Sequence, residues 1–600
     1  MRLTASKTKH SGAGFCTRFG SLFRLGSQSL EERGCFLPAD GTKWAVPLVL
    51  LGAITAYCLL FCSYQLDLYH RFAYPSFDLA VFQQATWCIA HGLSPFVTVR
   101  GLHILGDHFS LILYLLAPLE WVYPHAELLL VVQTVSLALG AVPVYLFSYR
   151  QLGSQAKALL FALAYLLYPA MQWANFLEFH PETLATPLLL GALYAQQIER
   201  WPLFFGLLGL SATTKEVAGL AIIPLGLYLL VRGRRKAGLA TMGLGVLSLI
   251  IAFAAVRHFN EGHPSAYIYY FSRYGHTPLE VIGYFLLHPW LLVQSLYSPM
   301  TRGFFSELLS PLCFLSLLAP ELCVLALPSF WVYLFAQRTG YYPLAPASIV
   351  GHYTTYGIPF IFDAAVVGYA RWERWGHVWL SRTMLVGLGL TALLATRHGP
   401  LFGSARMETY PPLPRTRAEA LHRLLARIPK QPSSPLPGAS KNRKFLSGKA
   451  LFPSISAQGE LLAALADRPY LYTFPNPFTH LSWGGTPQAL EQQTQTCYYR
   501  WPPVPSEYKT LFTGAPVQYI VLGYARNDWP MPNDVYPLFA ESALSDPHYG
   551  LIAICQDGLV LQQGADHKAG LQKLATYTGV AIHNARDLDR AFSRWMVGQW

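Results

Sequence analysis

The sequence predicts a polytopic α-helical membrane protein with a C-terminal soluble α/β domain. Three observations carry this reading. Of 600 residues, 53% are hydrophobic and only 13% are charged, too apolar a balance for a soluble protein of this length. Strong apolar runs recur near 45–64, 127–149, 157–169, 182–198, 201–213, 217–231, 237–256, 303–319, 320–336, 354–370 and 377–396. They amount to about eleven spans, several of which must borrow flanking polar residues to reach the twenty or so that cross a bilayer. Beyond residue 397 the composition shifts to Pro-rich and basic stretches and then to a globular pattern.

Residues 1–43 are polar, Gly/Ser-rich and net basic, with no signal-peptide core before Trp44, and are expected to form a disordered cytoplasmic tail. The transmembrane domain then covers 44–397. Its orientation follows from Lys and Arg in short loops: with the tail inside, Arg150 with Lys157, Arg200, Arg232 to Lys236, and Arg371 with Arg374 all fall inside. This places 65–108, 170–181, 214–216, 257–302, 337–353 and everything after about 397 on the outer face. In the first outer loop Asp78 to His91 reads as a helix with Asp78 at its N-cap and Gly92 closing it. The run 109–119 is too short to span and reads as re-entrant or interfacial. Residues 398–450 read as a Pro-rich linker region and 451–600 as an outer α/β domain. That domain is expected to hold a helix at 457–467, short strands at 471–474 and 518–522, and a hairpin of 551–555 with 559–561 turning at Asp557-Gly558.

The formal charge of +12 lies in short basic clusters beside apolar runs, so it reads as a topology signal and not as a nucleic-acid surface. The nine cysteines form no C-x-x-C pair or metal-ligand rhythm; Cys497 with Cys555 is the one disulfide that an oxidising outer compartment would permit in the C-terminal domain. Phosphate-loop, dinucleotide, H-E-x-x-H and G-x-S-x-G motifs are absent.

Ionisable residues at membrane depth are costly and are read first as functional or paired. Five groups stand out: Asp78; Asp107-His108; Glu178-Phe179-His180-Pro181-Glu182; Lys215-Glu216; and His352-Tyr353. The topology puts all five near one outer boundary, where carboxylates and imidazoles suit a shared polar site. Carboxylate oxygens would favour Mg²⁺, Mn²⁺ or Ca²⁺, while several imidazoles would shift the preference to zinc or iron. Each group also has a plainer explanation: a helix cap for Asp78, solvated helix starts for 107–108 and 178–182, a turn ion pair for Lys215-Glu216, and an interfacial aromatic belt for His352-Tyr353.

The stretches Phe77-Asp78-Leu79-Ala80-Val81-Phe82-Gln83-Gln84, Leu105-Gly106-Asp107-His108-Phe109-Ser110, Glu178 to Glu182 and Lys215-Glu216 closely resemble the signatures of the membrane proteins called domain of unknown function 2079. Ser454 to Gln458 and Arg468 to Tyr472 look like that family's C-terminal part. The family in turn resembles the multi-spanning glycosyltransferases of fold type C (GT-C). That resemblance implies a sugar transfer from a polyprenyl-phosphate donor to an acceptor on the outer face, in a bacterial inner (plasma) membrane, with a lipid-linked sugar and membrane lipid as partners. It implies Asp78, Glu182 and His180 as catalytic residues, although a paired Asp-Asp or Asp-Glu is usual where Asp78 is followed by Leu79. Lys215, Glu216, Arg257, His352 and Tyr353 are the expected substrate-binding residues. Asp78, Asp107, His108 and His180 are the candidate ligands of a divalent Mg or Mn ion. A transporter or lipid flippase, and a non-catalytic membrane anchor for the outer domain, are the alternatives; mid-bilayer polar residues and inverted repeats would mark the former.

Overall fold

The computed structural model describes residues 45–74, 76–260, 262, 268, 271, 273–336, 348–375, 378–401, 411–430, 453–474, 517–523 and 536–597. Cys497, and with it the expected Cys497–Cys555 bond, lies outside the described residues, as do the tail 1–43 and most of the linker.

Uninterrupted apolar sequence builds four helices long enough to cross a membrane among the described residues: Ala45–His70, Glu127–Leu152, Arg235–Phe259 and Val378–His398. A fifth candidate, Gln155–Leu166 with Pro169–Phe176, is bent by 44°. The expected count of about eleven is therefore not met, and the reason is local. Pro169 and Pro181 restart the chain, the latter in a 3-10 turn, Pro181–Leu184, ahead of the helix Ala185–Gln197. Trp201–Ala212 and Gly219–Val231 hold only 12 and 13 residues, about 18–20 Å of rise against about 30 Å of hydrocarbon. The helix Ile358–Trp375 is long enough but carries Asp363, Arg371, Glu373 and Arg374.

Short helices pack closely where glycine permits. A Cβ on Gly226 would lie 2.6 Å from the backbone nitrogen of Met242, and one on Gly238 2.8 Å from the Gly226 carbonyl oxygen, so Gly219–Val231 and Arg235–Phe259 meet almost backbone to backbone.

The run 109–119 forms the short helix Leu113–Leu116 and the 3-10 turn Ala117–Trp121, too short to span, as expected. Helix Phe77–Ala90 follows the first long helix. Its N-cap position is Ser76, not Asp78, and the Ser76 side chain makes no capping bond; the Ser76 hydroxyl instead donates to the Gly459 carbonyl at 2.7 Å. The other end closes as expected at Gly92, whose φ is +67°. A two-residue ribbon follows, β1 (Phe96–Val97) with β2 (Leu102–His103), antiparallel.

The C-terminal part is a five-stranded mixed sheet. Its strands are β3 (Ile455–Ala457), β4 (Leu471–Thr473), β5 (Tyr519–Gly523), β6 (Tyr549–Cys555) and β7 (Gly558–Gln563), in the order β4-β3-β5-β7-β6. β3 runs parallel to β4 and β5; β5–β7 and β6–β7 are antiparallel. The hairpin closes with Cys555 opposite Gly558, so the turn residues are Gln556 and Asp557, one step earlier than the sequence suggested. The helix expected at 457–467 is two 3-10 turns, Gly459–Leu461 and Ala463–Leu465. Within the expected linker, Arg415–Leu425 is a helix that buries Ala418, Leu421, Leu424 and Leu425 on one face. Arg417 holds the hairpin turn through both oxygens of the Asp557 carboxylate. Trp595, Tyr536, Tyr549 and Phe592 fill the domain's core.

Candidate active site

Asp78 stands in the first turn of Phe77–Ala90, where the helix dipole favours an anion. A second carboxylate closes the same helix end: Glu178 accepts the Leu79 amide at 2.7 Å. The cap that the sequence assigned to Asp78 is thus supplied by Glu178 from the loop after the helix Pro169–Phe176, and Asp78 is released for another partner. That partner is His180. Its Nε2 lies 3.3 Å from Asp78 Oδ2, and its Nδ1 donates to the Glu178 carbonyl at 2.8 Å. Both ring nitrogens face oxygen atoms.

His180 is itself held from below. Gln133, inside the long helix Glu127–Leu152, accepts the His180 amide and the Thr183 hydroxyl, both at 3.0 Å, while its amide group donates to the Asn175 carbonyl at 2.9 Å. A buried glutamine in a spanning helix thereby fixes the loop that carries the site. The sequence held a signal for it, the polar pair Gln-Thr in Leu-Val-Val-Gln-Thr-Val, which reading the outer loops alone passed over.

Behind His180 the contacts continue inward. The His352 ring stacks on it with centroids 3.6 Å apart and planes at 23°. His352 Nε2 reaches Glu182 Oε1 at 3.4 Å, and the same oxygen is bonded by Lys215 Nζ. Lys215 and Glu182 are almost fully buried. His352 Nδ1 is buried too and finds no hydrogen-bond partner among the described residues. On the other side, Glu216 accepts the Phe109 amide at 3.1 Å and pairs with His108 at 3.6 Å, while Asp107 faces Arg100 at 3.4 Å. Arg100 was absent from the sequence-derived set. The Tyr353 ring packs at a tilt against His352, with centroids 4.2 Å apart, and against Tyr333 at 4.5 Å. Arg257 is exposed in the last turn of Arg235–Phe259, and no described contact joins it to the others.

Burial alone would raise the Asp78 carboxyl, but the hydrogen bond and charge of His180, with His108 and Lys215 nearby, hold it below its ordinary value. Burial and the Asp78 charge push its neighbour Glu178 well above the usual carboxylate range. The two carboxyls at one helix end are thus driven apart, Asp78 downwards and Glu178 upwards. Burial, joined by the charges of His180, Lys215 and His108, keeps the His352 ring neutral. Burial opposes charge on His108, yet Asp107 and Glu216 carry it above its ordinary value.

Exposure distinguishes the carboxylates. The Asp78 side chain is 47% accessible, against 1% for Glu182 and 0% for Glu216. Asp78 can meet a substrate; the other two can act only through their neighbours. As for a metal, no three His, Cys, Asp or Glu side chains among the described residues converge as a ligand set. Four of the carboxylates have a basic side chain beside them: Asp78 has His180, Asp107 has Arg100, Glu182 has Lys215 and Glu216 has His108.

The chain belongs to the family of predicted membrane proteins called DUF2079, whose model matches residues 68–434. All five groups of the site fall within that match. No curated protein matches the sequence. Among solved structures the chain is similar to ArnT from Cupriavidus metallidurans bound to undecaprenyl phosphate, with 14% identity, 87% of this chain and 99% of that one covered, and a TM-score of 0.43. It is similar also to ArnT from Cupriavidus metallidurans in the apo state (14%, 86% and 98%, 0.42). A third likeness is to the archaeal oligosaccharyltransferase AglB from Archaeoglobus fulgidus in complex with an inhibitory peptide and a dolichol-phosphate (13%, 85% and 73%, 0.39).

Proposed function

We propose that this protein is a GT-C-like membrane glycosyltransferase that moves a sugar from a polyprenyl-phosphate donor to an acceptor hydroxyl at the outer face. The observation that carries the reading is Asp78: an accessible, ionised carboxylate aimed by a histidine and backed by buried charge pairs, just beyond the end of a spanning helix. That position lets a lipid-held donor present its anomeric carbon from the membrane while the acceptor arrives from water. In the transfer, Asp78 takes the proton of the acceptor hydroxyl as its oxygen bonds to the anomeric carbon. The anomeric C–O bond breaks, and the polyprenyl phosphate leaves with the electron pair. His180 positions Asp78 through the 3.3 Å bond. Lys215 and His108, paired with Glu182 and Glu216, hold the loops around Asp78 in place.

The test uses full-length protein in nanodiscs with polyprenyl-phosphate-linked sugars, reading release of polyprenyl phosphate and transfer to an acceptor. Asp78→Asn is expected to lower the transfer rate by about 10²-fold or more while leaving the thermal midpoint near that of the unaltered chain. Undiminished transfer by this variant would remove Asp78 from the chemistry and the reading with it.

A further inference from the structure

A cavity of about 480 Å³ opens at the ends of the first two long helices, and none of its lining residues belongs to the Asp78 cluster. Asp67, Tyr69 and His70 from the first helix, Arg71 just after it, and His125 to Glu127 at the start of the second form one side. The helix Arg415–Leu425 and the turn at Ala463 and Ala464 form the other, with Lys430 and Asp467 at its edge. Its size is that of a site for a small organic ligand, not a single ion.

The wall alternates in sign. Asp67 takes Arg71 on one oxygen at 3.0 Å and Arg415 on the other at 3.6 Å. Glu127 takes His70 at 3.2 Å, and Asp467 takes Lys430 at 2.9 Å and Arg468 at 3.1 Å. A bare anion entering here meets carboxylates, and a bare cation meets arginines. A ligand that carries both signs can answer both. The guanidinium of Arg415 is the more accessible of the two exposed cations, its side chain 81% exposed against 59% for Lys430, and a planar guanidinium suits a phosphate.

The surroundings choose among such ligands. Trp121, Val122 and Tyr123, immediately before His125, are 72%, 83% and 44% exposed. These three do not line the cavity, but exposed apolar and aromatic side chains near the ends of spanning helices have the composition of a membrane interface. We propose that the cavity binds the headgroup of a zwitterionic membrane phospholipid, its phosphodiester at Arg71 and Arg415 and its ammonium towards Glu127 and Asp467. The lipid would hold the C-terminal part against the bilayer. The proposal needs the chain to sit in a membrane and is independent of any sugar transfer.

Native mass spectrometry of the full-length protein in detergent, with added phosphatidylethanolamine, phosphatidylglycerol or inorganic phosphate, tests it. Phosphatidylethanolamine should be retained as a discrete adduct and phosphatidylglycerol much less. Arg415→Glu removes an exposed cation, and Ala464→Trp fills the cavity without touching a charge; each should cut retention by about tenfold or more. Equal retention of the two lipids, or wild-type retention by both variants, would overturn the assignment. So would displacement of the lipid by millimolar inorganic phosphate, which would make this a site for free phosphate.

Discussion

Lys215 and Glu182 bond each other where neither meets water, so their charges exist only because each neutralises the other. Removing one leaves an uncompensated buried charge. Lys215→Met is therefore expected to destabilise the protein by about 3–5 kcal/mol, and Lys215→Met with Glu182→Gln to restore much of the loss. Thermal unfolding of the two single variants and the double variant reads this coupling directly; additive losses would mean that the pair does not act as a unit. Glu120 gives a second test through pH. Burial, against a 3.1 Å bond from Gln83, pushes its carboxyl up to about 8, whereas an ordinary glutamate titrates near about 4.3. The folded chain therefore keeps a proton that the unfolded chain releases, and stability falls as pH rises across that interval. Glu120→Gln should raise the thermal midpoint more at about pH 9 than at about pH 5; an equal change at both would place the proton elsewhere. The residue types of this site were legible in the sequence, since Glu178 to Glu182, Lys215-Glu216 and His352-Tyr353 are rare at membrane depth. Which carboxylate is open and which is buried was not, because that depends on partners about a hundred residues away, as Asp78 and His180 are.

Among the elements, the Asp78 helix shows how a local rule is satisfied by an unexpected residue. A Ser or Asp before an apolar stretch predicts a side-chain cap, yet Ser76 bonds Gly459, and Glu178 caps the helix from across the loop. The start of the helix was readable to within a residue; its cap was not, since nothing in the local sequence points to residue 178. The span count failed for a similar reason. Apolar composition marks what faces lipid or core alike, and runs such as 201–213 and 217–231 become short helices packed on their neighbours. Where elements touch, glycine sets the distance. Gly106, in the turn Ile104–Asp107, faces the end of Arg235–Phe259 so closely that a Cβ would sit 2.6 Å from the Phe259 carbonyl oxygen. Backbone cannot rotate away as a side chain can. Gly106→Ala should cost about 1–3 kcal/mol and shift Asp107 and His108, lowering both the thermal midpoint and sugar transfer; a variant of wild-type stability would show that the turn yields freely.

Over the whole molecule, the C-terminal part does not hang from the membrane part as a tethered domain. Gln84, two turns along the Asp78 helix, accepts the Val99 amide at 3.1 Å and donates to Thr98 at 2.9 Å and to the Arg468 carbonyl at 3.1 Å. Thr98 donates to the Leu471 carbonyl at 2.5 Å and accepts the Leu471 amide at 2.9 Å, so it takes the place of a strand neighbour beside β4. Thr473 donates to the Val99 carbonyl at 3.0 Å. Arg71 and Leu413 exchange backbone and side-chain bonds at 3.0 and 2.8 Å. The strands of this part were readable from alternation and turn residues, but its docking was not, because side-chain bonds to backbone leave no periodic trace in sequence. Covalent continuity between the two parts is then dispensable once they have folded together. A protease site placed at residue 405 should, after cleavage in detergent, leave two fragments that co-elute. Gln84→Leu with Thr98→Val removes the bonds that hold β4 to the Asp78 helix while keeping apolar volume, and strands buried amides in doing so. In that background the cleaved fragments should separate. Fragments of the unaltered protein that separate on cleavage alone would show that the chain, and not these bonds, holds the C-terminal part over Asp78.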